Sequence, residues 1–130
     1  MAKTLCKILG VVLLIVGLCG FALPTLLGMH LTPIHNIVHL ATAAIALYLG
    51  FAGSPEGART FCMVFGAIYL LLGILGFAAP NVVAMIIGHP GPVTAAELTP
   101  DNAVHLLLGI VFLAVGLMRP AVVAPARSDR

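Results

Sequence analysis

Few side chains in this 130-residue sequence could bind a ligand or react, and two of them recur in one arrangement. Asn36-Ile37-Val38-His39-Leu40 and Asn102-Ala103-Val104-His105-Leu106 each set an amide three residues ahead of an imidazole. On a helix that spacing puts both groups on one face, and His35, four residues before His39, joins the first pair. Imidazole nitrogens ligate Zn, Cu and Fe, porphyrin iron included. His39 and His105 are therefore candidate ligands to a transition metal, or axial ligands to a haem or chlorin held between helices. The same groups can instead form a polar lock, with Asn36, His39, Asn102 and His105 hydrogen-bonded across helices or to the opposite backbone.

The surroundings expected for these histidines are poor in further chemistry. Cys6 and Cys62 fall at the opposite end of the spans, Asp101 stands at a helix entrance, and two imidazoles are too few for structural zinc. His30 and His89 lie in loops and are expected to be solvated. The odd count of three cysteines, with no CxxC, indicates neither a disulfide framework nor a zinc module. No nucleophile elbow, phosphate loop, HExxH or paired carboxylate is visible, so an enzyme is not expected. A dispersed net charge of +2 speaks against a nucleic-acid partner.

The elements that must position the two motifs follow from composition. The chain is 62% apolar and 8% charged, against roughly a quarter charged in an ordinary soluble domain. A bilayer solvates such a sequence directly, whereas in water its apolar runs would lie uncovered. Stretches of spanning length occur at about residues 5–27, 34–53, 60–79 and 102–118. Residues 81–87 are apolar but run into Gly88-His89-Pro90-Gly91-Pro92, which makes them an extension of the third helix or an interfacial segment. Thr32-Pro33 and Thr99-Pro100 each read as a helix start, threonine as N-cap and proline first in the helix. His39 and His105 then lie about 9 to 10 Å beyond the entrance, at 1.5 Å per residue.

Charge orients the spans. Lys3, Lys7, Arg59, Arg119, Arg127 and Arg130 all fall on one side, which the positive-inside rule makes cytoplasmic, together with both termini. The expected location is a bacterial cytoplasmic membrane, crossed several times. Lys3 and Lys7 ahead of an apolar run also suit a signal peptide, but the first span has a twin within the chain, which argues that it is retained.

That twin belongs to an internal repeat. Thr4-Leu5-Cys6-Lys7-Ile8-Leu9-Gly10 matches Thr60-Phe61-Cys62-Met63-Val64-Phe65-Gly66, and Gly17, Gly20 and Pro24 meet Gly73, Gly76 and Pro80 at the same offset. The two Asn-His motifs pair as the second helices of the copies. The fold expected is an all-α integral membrane four-helix bundle over residues 1–119. It is built from two parallel two-helix repeats, residues 4–53 and 60–118, about a pseudo-two-fold axis along the membrane normal. Residues 120–130 read as a flexible cytoplasmic tail. Gly10, Gly17 and Gly20, and likewise Gly66, Gly73 and Gly76, form small-residue faces suited to close helix contact, with each other or with a second molecule. Tyr69, mid-span in the third helix, is placed to reach Thr42 or the histidine layer.

The Asn-x-x-His-Leu segments at Asn36 to Leu40 and Asn102 to Leu106, the second continuing through Leu107-Leu108-Gly109, resemble a family of small bacterial four-helix membrane proteins of unknown function. The resemblance spans roughly Thr4 to Arg119. It implies topology and transfers no catalytic residue. The function expected is that of a non-catalytic structural or accessory component, packing with itself as a homo-oligomer or with a larger membrane complex. The alternatives are haem, chlorin or metal binding at His39 and His105, and a small transporter or channel subunit.

Overall fold

The computed structural model of the chain describes residues 1–118. Arg119 and the tail expected over residues 120–130 lie outside the described residues.

Proline and a short hydroxyl side chain start two of the long helices. Thr32 accepts the His35 backbone N–H at 3.1 Å and sets off α2, Pro33–Phe51; Ser54 accepts the Gly57 N–H at 3.0 Å and sets off α3, Pro55–Ala78. Each hydroxyl satisfies one of the backbone donors that a helix start leaves without a partner. With α1, Ala2–Gly20, and α5, Thr99–Leu117, these make four helices long and apolar enough to cross a membrane. Three of them have 19 residues, about 28 Å at 1.5 Å per residue, close to the thickness of a hydrocarbon core.

Several expected boundaries move. The first span stops at Gly20, seven residues short of residue 27, and the chain turns through a single 3-10 turn at Leu26–Gly28. Leu27 there has φ of 55° and Gly28 φ of 77°, so Leu27 is apolar yet belongs to a turn. The third span starts at Pro55, not at residue 60, because the Ser54 cap precedes it. Thr99 is not an N-cap. It is the first residue of α5, and its hydroxyl donates to the Ala95 carbonyl at 3.1 Å. The backbone before it is already curled, with Leu98 N–H bonded to Thr94 O at 3.2 Å, and so leaves no extended residue to act as a cap.

Residues 81–87 do not extend α3. Ala79 precedes Pro80 and leaves the helical region at φ −145°, ψ 65°, after which α4, Pro80–Ile86, starts with proline in its first turn. It folds back over the end of the bundle at which α2 and α5 begin, burying Val83 and Ala84 with Ile87, Val93 and Leu98. Asn81 accepts the Val93 N–H at 3.0 Å, and the Thr32 hydroxyl donates to the Ile87 carbonyl, so this cover is tied to α2.

The helices associate as two hairpins, α1 on α2 and α3 on α5. The glycine faces lie inside these hairpins. A Cβ added at Gly10 would come within 2.6 Å of Leu47, at Gly17 within 2.9 Å of Leu40, at Gly66 within 2.6 Å of Leu113 and at Gly73 within 2.7 Å of Leu106. Close approach matters because lipid supplies no hydrophobic force between helices, and dispersion and backbone contact must hold them instead. Between the hairpins the joint is thinner. Cys6, Leu9, Leu13, Ala43, Ala46, Ala58, Phe61, Cys62 and Phe112 fill it at the end that carries Lys3, Lys7 and Arg59. At that end Arg59 also donates to one of the last carbonyls of α5, that of Gly116, at 3.2 Å.

Candidate functional site

Helix register carries the polar stripe of α2 inward from the Thr32 cap. His35, Asn36, His39 and Thr42 are buried, and on α5 the same holds for Asp101, Asn102 and His105. The stripe continues through buried Ala46 and Gly50 on α2 and through Gly109, Phe112 and Gly116 on α5. All of these face protein.

The two motifs divide by residue type. Asn36 and Asn102 each lie inside their own hairpin, where Gly20 and Gly76 have no Cβ and the amide takes its place against the facing helix. Asn36 donates to the Leu31 carbonyl at 3.1 Å, while its Oδ1 and both polar atoms of Asn102 are buried without a partner. Among the described residues no hydrogen bond joins the two Asn-His pairs. The amides act by shape, filling a notch that glycine leaves.

The imidazoles do come together, at the seam between hairpins. The His35 ring stands 4.3 Å from His39 and 5.9 Å from His105, and Tyr69 stacks on His105 at 5.6 Å and 17°. Tyr69 thus reaches the histidine layer, and Phe65, 6.2 Å away, carries the aromatic row down α3 toward Phe61. His35 donates its Nδ1 proton to the His30 carbonyl at 2.8 Å, since a carbonyl only accepts. Nδ1 of His39 and of His105 is buried without a partner.

Beside the layer lies a cavity of roughly 260 Å³. His35, His39, His105, Tyr69 and Asp101 form its polar wall; Val12, Leu13, Val16, Val104 and Leu108 form the rest, with Leu27, Met29 and Pro100 at its outer end. Val12 and Val104 are 48% and 42% exposed, so the mouth opens on the lipid-facing surface between α1 and α5. A smaller space of roughly 60 Å³ lies across the same layer, toward α4.

Asp101 stands at the entrance of α5, as expected, and holds His30 over the end of the bundle at which α2 and α5 begin. Asp101 is 3% exposed, and both its oxygens accept the His30 backbone N–H at 3.1 Å. The His30 Nδ1 is also 3.1 Å from Asp101, and its ring meets His89 at 5.4 Å edge to face. His30 and His89 are accordingly half-buried parts of a clasp over the cavity and not freely solvated loop side chains. Loop position alone carries no mark of burial, so the clasp is not legible in the sequence.

A family model described as a domain of unknown function, DUF4383, matches residues 3–118. The chain belongs to the DUF4383 family. No curated protein and no solved structure matches it. The match covers all four spanning helices and the whole histidine layer of this DUF4383 chain.

Metal chemistry finds little support in the layer. Among the described residues no three His, Cys, Asp or Glu side chains converge to hold a metal ion. The His35 ring lies within 4.3 Å of His39 and 5.9 Å of His105, and the cavity of roughly 260 Å³ is below the 300–1,000 Å³ usual for larger ligands.

Proposed function

We propose that this DUF4383 protein is a non-catalytic, multi-pass membrane component that holds a small lipid-soluble molecule in the seam between its hairpins. One observation carries the reading. His39 and His105, 7% and 6% exposed and each with an unpartnered ring nitrogen, stand at the wall of a cavity whose other lining is mostly apolar. Leaving such a group unpaired costs about 1–3 kcal/mol. That unpartnered atom is the sealed Nδ1, so the nitrogen left to meet a ligand is Nε2 of each ring; a seam with nothing to bind would be filled at lower cost by Leu, which supports reading the imidazoles as ligand-facing.

The rest of the reading supports that role. We take the hairpins as two copies of one unit, since Gly10, Gly17 and Gly20 face Leu47, Leu40 and Asn36 as Gly66, Gly73 and Gly76 face Leu113, Leu106 and Asn102. The basic residues favour a bacterial cytoplasmic membrane with both termini inside. The glycine faces are covered within the chain, so a homo-oligomer or larger complex would have to use other surfaces. Transport lacks a charged residue in mid-span to couple to.

The test is to purify the full chain from its native membrane in lipid nanodiscs and analyse the extracted small molecules by mass spectrometry. We expect a lipid-soluble species near one per protein, lost when Leu108→Trp fills the cavity. An extract with the same composition for both proteins would overturn the proposal.

A further inference from the structure

Apart from the Asp101 carboxylate, which His30 engages, the polar groups of the seam cavity form a donor-rich set. Nδ1 of His39 and of His105 is sealed off without an acceptor. A neutral imidazole carries one proton, and placing it on a sealed nitrogen would bury an unpaired N–H, so in both rings it belongs on Nε2. His35 is the reverse case: its Nδ1 proton is committed to the His30 carbonyl, leaving Nε2 as an acceptor. Tyr69 adds a hydroxyl beside His105. The wall therefore offers two N–H donors, one O–H donor and one nitrogen acceptor.

Charge narrows the ligand further. No Lys or Arg lines the cavity, which disfavours an anionic headgroup, and the single carboxylate, Asp101, is engaged by His30. Donors without charge suit neutral acceptors, of which a carbonyl is the commonest on a lipid-soluble molecule. Size then selects a head and not a chain. Roughly 260 Å³ holds a one- or two-ring system, and flat walls are supplied by the stacked Tyr69 and His105 rings and by Val16 and Val104. The mouth at Val12 and Val104 faces the bilayer, so a tail can remain in lipid while the head sits against the histidines.

Resting on the binding role proposed above, we infer that the cavity takes the carbonyl-bearing ring head of a quinone-class lipid, entering sideways between α1 and α5. His39, His105 and Tyr69 donate to its carbonyls, and the tail extends past Val104. The assignment concerns binding alone and involves no electron transfer.

The experiment uses the full chain in nanodiscs with three probes: decylubiquinone, menadione, and decanol as a tail with a hydroxyl but no ring. Both quinones should bind at one site and compete. Val104→Phe, which narrows the mouth, and the double change His39→Leu with His105→Leu should each weaken both at least tenfold. Ile110→Phe, on the lipid-facing side of α5 and outside the cavity, should leave binding unchanged. Circular dichroism checks that each variant keeps its helices, and Val104→Phe provides the answer if the histidine pair does not fold. Decanol binding as tightly as the quinones, at a site closed by Val104→Phe, would overturn the ring-head assignment while the lipid-binding role stood. Quinone binding unaffected by Val104→Phe would place the ligand elsewhere and overturn the assignment, as would no binding of either quinone. The native-membrane extract decides the broader role separately.

Discussion

Gly76 and Asn102 show how one missing methyl group can set the position of a functional helix. A Cβ at Gly76 would overlap the Asn102 amide, which is fully buried on the facing helix three residues before His105. Asn102 has nowhere to retreat, so Gly76→Ala must push α3 from α5 at the level of the histidine layer. Overpacking of this kind costs about 1–3 kcal/mol, and we expect a loss of that size in unfolding measured in detergent. Truncating the partner should relieve it: Gly76→Ala combined with Asn102→Ala should lose less than the sum of the single changes, because residues in contact couple. Gly91→Ala, where an added Cβ meets nothing within 4 Å, is the neutral control. Strict additivity in the double variant would show that the amide and the glycine do not share a notch.

At the scale of elements, the parts legible in the sequence were those that follow from hydropathy and local caps. Thr32-Pro33 marks the start of α2 because the cap itself, the His35 N–H on the Thr32 hydroxyl, is made within three residues. The same dipeptide misled at Thr99-Pro100, where a curled turn from Thr94 to Leu98 takes over the start, and periodicity cannot register that backbone. Leu27 reads as helix because it is apolar, although α1 has already ended at Gly20 and Leu27 and Gly28 form a positive-φ turn. Among site residues, the motif spacing located His35, His39 and His105, while the clasp of Asp101 on His30 is a contact across 71 positions that no local pattern shows. The turn before α5 makes a pH prediction. Glu97 accepts the Thr94 backbone N–H at 2.7 Å and its hydroxyl at 2.8 Å, which hold the carboxyl below its ordinary value of 4.5. A depressed folded pKa stabilises the turn above that ordinary value, and this contribution is lost as pH falls through the folded one. The Thr94 amide proton resonance should therefore move toward an unbonded position only below about pH 4.5, and in Glu97→Gln it should show no titration there.

On the scale of the whole molecule, the same helix pairing that makes each hairpin rigid leaves the seam open, because close packing within α1–α2 and α3–α5 uses the small residues that could have closed it. The seam is also polarised. Its cysteine and phenylalanine core lies toward Lys3, Lys7 and Arg59, and its cavity and histidines lie toward Glu97, His30 and His89. If basic residues set the insertion, the cavity opens into the outer half of the bilayer, and a ligand reaches it from that leaflet. Orientation therefore decides which pool of lipid supplies the site. Single cysteines in a background lacking Cys6, Cys19 and Cys62 can read it, one at Gly91 beside the clasp and one at Glu56 in the first turn of α3. In intact cells a membrane-impermeant maleimide should label Gly91→Cys directly and Glu56→Cys only after permeabilisation. The opposite pattern would invert the molecule, and the cavity would then draw on the cytoplasmic leaflet.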